Sequence, residues 1–257
     1  MRRVGLLLVC LMVATTVWAA EPRPMVKSAG ELAWAAIPDD TPDEEQVRLA
    51  KEYLDKYPTE IPLLRSVQNV LNRKSDLTVE FWKERMDKQP TTANRYLYAR
   101  KTGDAAIMAE QAQAILRDDA TNFWGDYLAA VAEWSKEEPD LKKVAAHFDA
   151  AIEKDPSRPE GWGYAAEVAE ELKDLDKALR MYQAEAVVKP GEKGPTLSML
   201  GIFAQQRNSE KYFALVSEVL PSEPPLSFQL GMHGTDHLMS SSDLGGQYSV
   251  LEMFTYW

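Results

Sequence analysis

The sequence predicts an all-α fold in which helix hairpins are arrayed along the chain and a short β-hairpin or strand segment follows them. The main observation is that proline residues recur at a regular spacing. Pro156, Pro190 and Pro224 stand 34 residues apart, and a fixed period of this length is typical of repeat architectures. Each proline follows an amphipathic segment that it can terminate, because proline lacks the N–H that continues a helix. Hydrophobic residues make up 45% and charged residues 27% of the chain, close to the average of globular proteins.

The N-terminal residues 1–19 have the layout of a secretory signal peptide. Arg2 and Arg3 precede an apolar run over residues 4–13, and Val17 and Ala19 offer small side chains at a cleavage site. The run is shorter than the about 18 to 20 residues that span a bilayer, so a retained membrane anchor is the less favoured alternative. We therefore expect a periplasmic or secreted protein with no membrane contact beyond the cleaved signal peptide.

Residues 20–43 contain four prolines and are predicted to form a linker or a loosely packed arm. The helical repeat domain is predicted over residues 44–222, with a capped start at Thr41–Glu44. In its first part the segment ends are 28 to 32 residues apart, which indicates degenerate repeats. The helical segments predicted there are Glu44–Tyr57, Leu63–Asn72, Val79–Gln89, Asn94–Lys101 and Ala105–Arg117.

The second part of the domain holds three clearer repeats, each made of two helical segments. The first segments begin near Trp124, Trp162 and Thr196. The second segments, each followed by one of the periodic prolines, are Val144–Lys154, Lys177–Lys189 and Glu210–Leu220. Along the whole domain, hairpin turns are predicted near Gly103–Asp104, Lys173–Asp174 and Asn208.

The middle repeat carries Trp162, Ala178, Tyr182 and Pro190 at spacings of 16, 4 and 8 residues. This pattern resembles the tetratricopeptide repeat, in which an aromatic residue lies near the start of the first helix and a small residue opens the second. A further aromatic residue follows four positions later, and a proline ends the repeat. In physical terms, the small residue lets two helices approach closely, and the aromatic residue fills the gap to the next hairpin.

The flanking repeats match the same family less completely. The preceding one has Trp124, Phe148 and Pro156 but four additional residues between its helices, and the following one keeps Pro224 but has Thr196 at the aromatic position. The resemblance implies a right-handed superhelical array. It also implies that the first helices of the hairpins line a concave face that binds an extended protein or peptide segment.

Two sets of side chains are candidates for that binding face. The aromatic residues Trp124, Tyr127, Trp134, Trp162 and Tyr164 are candidates for a ligand groove, although the alternative that residues at such helical spacing form the core is favoured. Acidic residues are candidates for a negative groove that takes a basic ligand, and the alternative for most of them is a solvated outer face. The acidic set is Asp126, Glu133, Glu167, Glu170 and Glu171.

Residues 223–257 differ in composition from the repeats. Three segments, Pro225–Leu230, Asp243–Gln247 and Tyr248–Trp257, resemble the opening of thioredoxin-like domains of thiol-disulfide oxidoreductases. In that family a Cys-x-x-Cys pair follows directly after the position of Trp257. The resemblance implies an incomplete thioredoxin-like segment, explained by a broken gene, an incomplete chain or a stop codon read as selenocysteine. An ordinary β-tail is the alternative.

Charge and cysteine usage exclude several classes of function. Without Arg2 and Arg3, 27 of the 29 basic residues remain against 40 acidic ones, a net charge of −13, so nucleic acid is not an expected partner. Cys10 is the chain's single cysteine and lies in the predicted signal peptide, so no disulfide or catalytic thiol is expected in the mature chain.

No metal or cofactor site is predicted. His233 and His237 are four residues apart, but neighbouring glycines disfavour a helix there and no further ligands lie nearby. The sequence therefore predicts an exported, non-catalytic scaffold that binds protein or peptide ligands. The alternative is the N-terminal part of a thiol-disulfide oxidoreductase.

Overall fold

The computed structural model describes residues 20–75, 77–219, 229–231 and 238–240. These residues form twelve helices and two short strands. The helices are α1 (Ala29–Ala35), α2 (Asp43–Lys56), α3 (Ile61–Lys74), α4 (Val79–Lys88), α5 (Thr92–Thr102), α6 (Ala105–Asp118), α7 (Phe123–Trp134), α8 (Leu141–Lys154), α9 (Pro159–Glu171), α10 (Leu175–Val188), α11 (Gly194–Gln205) and α12 (Ser209–Val219). The strands are β1 (Gln229–Gly231) and β2 (Leu238–Ser240). Residues 43–219 are therefore helical wherever they form regular structure, as predicted.

The chain divides into two compact units, Met1–Ile202 and Phe203–Trp257. In the second unit, β1 and β2 pair antiparallel, with Leu230 opposite Met239. The C-terminal β-segment of the sequence analysis stays a prediction. The strand predicted near residues 248–254, the domain boundary at 222/223, the histidine pair and Pro224 lie outside the described residues, as does the signal peptide. The thioredoxin-like interpretation stays a prediction.

Local chemistry accounts for the three predicted turns, at Gly103–Asp104, Lys173–Asp174 and Arg207–Asn208. The first residue of each pair has a positive φ, between 52° and 64°. The second residue places its side-chain oxygen 2.9 to 3.1 Å from the backbone N–H three positions later. A left-handed residue ends one helix and an Asp or Asn caps the next, so the direction of the chain reverses within a few residues.

In the first unit, consecutive helices pack against each other from α4 to α10, and α2 packs against α3. The odd-numbered helices also contact one another: α3 contacts α5, and α5 contacts α7. Tyr127 of α7 then reaches Tyr164 of α9, with ring centroids 5.9 Å apart. The side chains of α3, α5, α7 and α9 therefore meet on one side of this unit.

The repeat positions identified in the sequence lie in the interior. Phe148, Trp162 and Ala178 are fully buried, and Tyr182 is nearly so. The indole N–H of Trp162 donates to the carbonyl oxygen of Pro156 at 2.9 Å. Pro156 and Pro190 each stand two residues beyond the last residue of a helix, α8 and α10 respectively.

The structure differs from the prediction at residues 20–43, where it forms α1 instead of a continuous linker. Ser28 caps this helix by accepting a bond from the Glu31 N–H at 3.0 Å, and the Glu31 carboxylate accepts one from the Ser28 N–H at 2.9 Å. This Ser-x-x-Glu capping box favours a helix start even in a proline-rich stretch. In the ranges that the structure describes, no helix is both long and apolar enough to cross a membrane.

Candidate functional site

The structure places the candidates Trp124, Tyr127, Trp162 and Tyr164 in different surroundings. Trp162 has no exposed surface, and Trp124 and Tyr127 are only 7% and 4% exposed. Tyr164 alone of the four is half-buried. Burial leaves Trp162 no surface for a ligand, whereas Tyr164 presents part of its ring to solvent.

Tyr127 is the centre of an aromatic cluster that joins three odd-numbered helices. Its ring lies 6.2 Å from that of Tyr96 on α5, 5.4 Å from that of Trp124 on α7 and 5.9 Å from that of Tyr164 on α9. Tyr164 continues the cluster to Trp134, 6.0 Å away. Such edge and tilted contacts are favourable because the positive edge of one ring meets the negative face of another.

Arg65 of α3 lies against this cluster. Its guanidinium carbon is 5.6 Å from the ring centroids of both Trp124 and Tyr127, within the range of a cation–π interaction. Its Nη1 donates to Glu160 Oε1 at 2.7 Å. The side chains of Arg65 and Glu160 are only 19% and 20% exposed. One arginine therefore links α3, α7 and α9.

The surroundings of Arg65 keep it charged. Burial acts to lower the pKa of Arg65, but the oxygens of Tyr96, Tyr127 and Glu160 act to raise it, and the net shift of the pKa is upward. Burial raises the pKa of the Tyr127 phenol well above its ordinary value. In the described part of the chain, Glu160 Oε2 is buried and accepts no hydrogen bond. The Glu160 charge therefore depends mainly on Arg65.

A cavity of about 310 Å³, here called the acidic pocket, opens beside the Arg65–Glu160 pair. Four of its residues follow the spacing i, i+3, i+4 and i+7 along α9. That spacing puts them on one face of the helix. The pocket is lined by Arg65, Pro159, Glu160, Gly163, Tyr164, Glu167, Glu185 and Lys189.

The carboxylates of the acidic pocket are poorly compensated. Burial raises the pKa of Glu167, and the charges of Glu170 and Glu171 raise it further. Burial also raises the pKa of Glu185, against the lowering effect of Lys189. A carboxyl group with a raised pKa is one whose negative charge is poorly stabilised, so a positive group placed nearby would be stabilising.

A second cavity of about 290 Å³, here called the aromatic pocket, shares Arg65 and Tyr164 with the first. Arg100, on its wall, donates to the amide oxygens of Gln68 and Asn69 at 2.7 and 2.8 Å. The aromatic pocket is lined by Arg65, Tyr96, Arg100, Gly103, Met108, Tyr127, Leu128, Val131, Trp134, Ser135 and Tyr164. We call the two adjoining pockets together the odd-helix groove.

Most of the candidate acidic residues lie elsewhere. Asp126 is buried and pairs with Lys154 and with His147, Glu133 pairs with Lys136, and Glu170 accepts a hydrogen bond from the Tyr182 hydroxyl at 2.6 Å. Of the five, Glu167 alone lines the acidic pocket. Across the described ranges, no group of three or more His, Cys, Asp or Glu side chains is placed to hold a metal ion.

Sequence reasoning missed Arg65, Arg100, Glu160 and Glu185. The stripe Glu160, Gly163, Tyr164 and Glu167 is visible in the sequence and could have identified Glu160, since its members share one helical face. No such signal exists for Arg65. Its partner Glu160 lies 95 positions away. The two side chains come together only through the packing of the helices that carry them, α3 and α9.

No protein-family profile matches the chain, and no curated protein matches it. Among solved structures, the chain is similar to TTC0263, a thermophilic tetratricopeptide-repeat protein of Thermus thermophilus. The identity is 12%, 72% of this chain and 93% of that one are covered, and the TM-score is 0.48. It is also similar to two structures of MamA, each at 14% identity. One match covers 76% of this chain and 95% of that one with a TM-score of 0.38, and the other covers 71% and 100% with a TM-score of 0.45. These likenesses establish neither a family nor a function.

Proposed function

We propose that this protein is a non-catalytic scaffold that binds an extended segment of a partner protein in the odd-helix groove. The observation that carries the proposal is the adjacency of two chemically different pockets that share Arg65 and Tyr164. Helix hairpin arrays commonly present extended binding surfaces of this kind. Two adjacent pockets can each bind a different side chain of one extended segment.

The pockets define the chemistry of the segment. The acidic pocket fits a lysine or arginine side chain, because Glu160, Glu167 and Glu185 outnumber its cations Arg65 and Lys189. The aromatic pocket fits an apolar or aromatic side chain, because Trp134 and Tyr164 are among the residues that line it. Charge complementarity contributes to selectivity and to the association rate. We therefore infer a partner segment with a basic residue close to an apolar one.

The experiment is a selection of peptides from a random displayed library on the full chain, followed by affinity measurements on the variants. We expect selected peptides to combine basic and apolar residues. Glu167→Gln combined with Glu185→Gln should weaken their binding about tenfold or more, as loss of a charged contact at a binding site does. The matched control is Glu153→Gln, an exposed glutamate on α8 outside both pockets. Selected peptides whose binding is insensitive to the double variant would contradict the proposal.

We also propose that the protein acts outside the cytoplasm, on the support of the signal-peptide layout of residues 1–19. Expression of the full-length gene should yield a mature protein that starts near residue 20. N-terminal sequencing of the fractionated protein measures this start, and a product that retains Met1 in the cytoplasm would contradict the proposal.

A further inference from the structure

Residues 20–28, here called the arm, contact two helices of the first unit that are far apart in the sequence. The backbone N–H of Met25 donates to the carbonyl oxygen of Val188 at 2.9 Å. The Ser28 hydroxyl donates to Glu60 Oε2 at 2.5 Å. Residues 21–28 form no helix or strand. The arm is therefore a segment without regular secondary structure that contacts the end of α10 and the start of α3.

Val188, whose carbonyl oxygen accepts this bond, directly precedes Lys189, a residue that lines the acidic pocket; we call these two residues the rim of the pocket. Val188 is the last residue of α10, and carbonyl groups at the end of a helix have no partner within it. Met25 supplies one. Glu185 and Lys189, which both line the acidic pocket, are the residues three before and one after Val188. The arm thus binds main chain to main chain directly beside the pocket.

The two ends of the arm differ in how firmly they are fixed. Gly30, just beyond the arm, is buried, and a Cβ there would lie 2.5 Å from Glu60 Oε2 and 2.8 Å from Leu63 Cδ2. Trp34 of α1 packs edge-on against Tyr53, with ring centroids 5.2 Å apart. At the other end Met25 is half-buried and its neighbour Val26 is 89% exposed. The Met25 end is the one that can detach without disturbing α1.

The arm has the chemistry inferred for a partner. Arg23 and Lys27 are exposed and stand two residues either side of Met25, so a basic residue lies near an apolar one. Its local positive charge complements the excess of carboxylates in the acidic pocket. A segment with the composition inferred for a partner is thus already bound beside the acidic pocket.

We propose that the arm is a displaceable segment bound in cis, and that partner segments must compete with it for the rim of the acidic pocket. This inference rests on the proposed function, since it assigns a regulator to the same groove. Because Met25 is held by a single backbone hydrogen bond, the competition should change partner affinity by a modest factor. We expect roughly two- to tenfold, the contribution of one net hydrogen bond.

The test uses the full chain and a fluorescent peptide with the sequence of residues 20–28, followed by fluorescence anisotropy. Met25→Pro in the chain removes the N–H that bonds to Val188. We expect this variant to bind the peptide two- to tenfold more tightly than the wild type does. The control is Met25→Leu, which changes the same side chain but keeps the backbone N–H that donates to Val188. It should bind as the wild type does.

Several results would overturn the inference. Equal peptide affinity in the wild type and in Met25→Pro would show that the arm does not compete, while continued binding of library peptides would leave the proposed function standing. Failure of library peptides and the arm peptide alike to bind would overturn both. Amide hydrogen exchange gives a second readout. The Met25 N–H should exchange more slowly than the Lys27 N–H, and equal rates would show that the arm is not docked.

Sedimentation velocity separates binding in cis from exchange of arms between copies. A monomer with a protected Met25 amide supports the cis arrangement. A dimer that dissociates in the Met25→Pro variant would show that the arm binds a second copy, and would contradict the inference.

Discussion

At the scale of single residues, Arg65 combines an ion pair with two cation–π contacts. It donates to Glu160 at 2.7 Å and lies over the rings of Trp124 and Tyr127. Glu160 Oε2 is buried and accepts no hydrogen bond in the described part of the chain. Removing the arginine would therefore leave a poorly solvated carboxylate without its main partner.

We predict that Arg65→Ala lowers the free energy of unfolding by about 3 to 5 kcal/mol, the usual cost of removing one partner of a buried ion pair. Urea denaturation followed by circular dichroism measures this change. The control is Arg73→Ala on the same helix, where the side chain is exposed and a change within about 0.5 kcal/mol is expected. A loss below about 1 kcal/mol for Arg65→Ala would show that the pair contributes little to stability.

Glu185 provides a prediction about pH. Burial raises its pKa in the folded state above the unfolded value. The folded state therefore binds more protons than the unfolded state between the two pKa values, and stability falls as the pH rises through this window. The window begins near 4.5, the ordinary value for a glutamate. Below it both states are protonated and the penalty vanishes.

We accordingly predict that Glu185→Gln raises the melting temperature relative to the wild type at pH 7.5, and by a smaller amount at pH 4. Differential scanning calorimetry at the two pH values measures both differences. Glu153→Gln, at an exposed glutamate of α8, should show no such dependence. If Glu185→Gln raised the melting temperature by the same amount at both pH values, the Glu185 charge would not be destabilising.

At the scale of elements, the helix hairpin of α9 and α10 depends on a close approach at Ala178. This residue has no exposed surface, and Trp162, which stands 16 positions earlier in the repeat pattern, is fully buried as well. Ala178→Leu should overpack the helix crossing and cost about 1 to 3 kcal/mol. The matched control is Ala106→Leu at an exposed position of α6. Thermal melts of the two variants measure the difference, and equal melting temperatures would argue against a tight crossing.

The sequence predicted helix positions well because their signals are local. Prolines beyond α8 and α10 and caps such as Asp104 and Asp174 act within a few residues of where they stand. The capping box that starts α1 at Ser28 is equally local, but the surrounding prolines made a linker the simpler interpretation. Proline restricts only its own position and the one before it, so a helix could start between Pro24 and Pro38.

The groove was less predictable because burial and pairing are properties of the packed array. Trp124 and Trp162 occupy equivalent places near the start of a helix, and both proved to be buried. Tyr164 follows Trp162 by two residues, which puts it on a different face of α9, and it is half-buried. The Arg65–Glu160 pair joins residues 95 positions apart, and a single sequence contains no local pattern that identifies such partners.

At the scale of the whole molecule, the net charge of −11 disfavours polyanionic partners and agrees with a groove that takes basic segments. Within the described part of the first unit, the Arg65–Glu160 pair joins α3 to α9, and the Met25–Val188 hydrogen bond joins the arm to α10. Both border the acidic pocket. Binding in the groove and the stability of this unit should therefore be coupled, since a ligand that favours the folded state stabilises it in proportion to its occupancy.

The central claim, that a partner segment lies in the odd-helix groove, is tested most directly by mapping the contact itself. A peptide selected from the library is synthesised with a photoreactive residue at its basic or its apolar position, cross-linked to the full chain, and located by mass spectrometry. We predict cross-links from the basic position to residues around Glu167 and Glu185, and from the apolar position to residues around Trp134 and Tyr164. Cross-links that fall on α4 or α8 instead, away from both pockets, would contradict the claim.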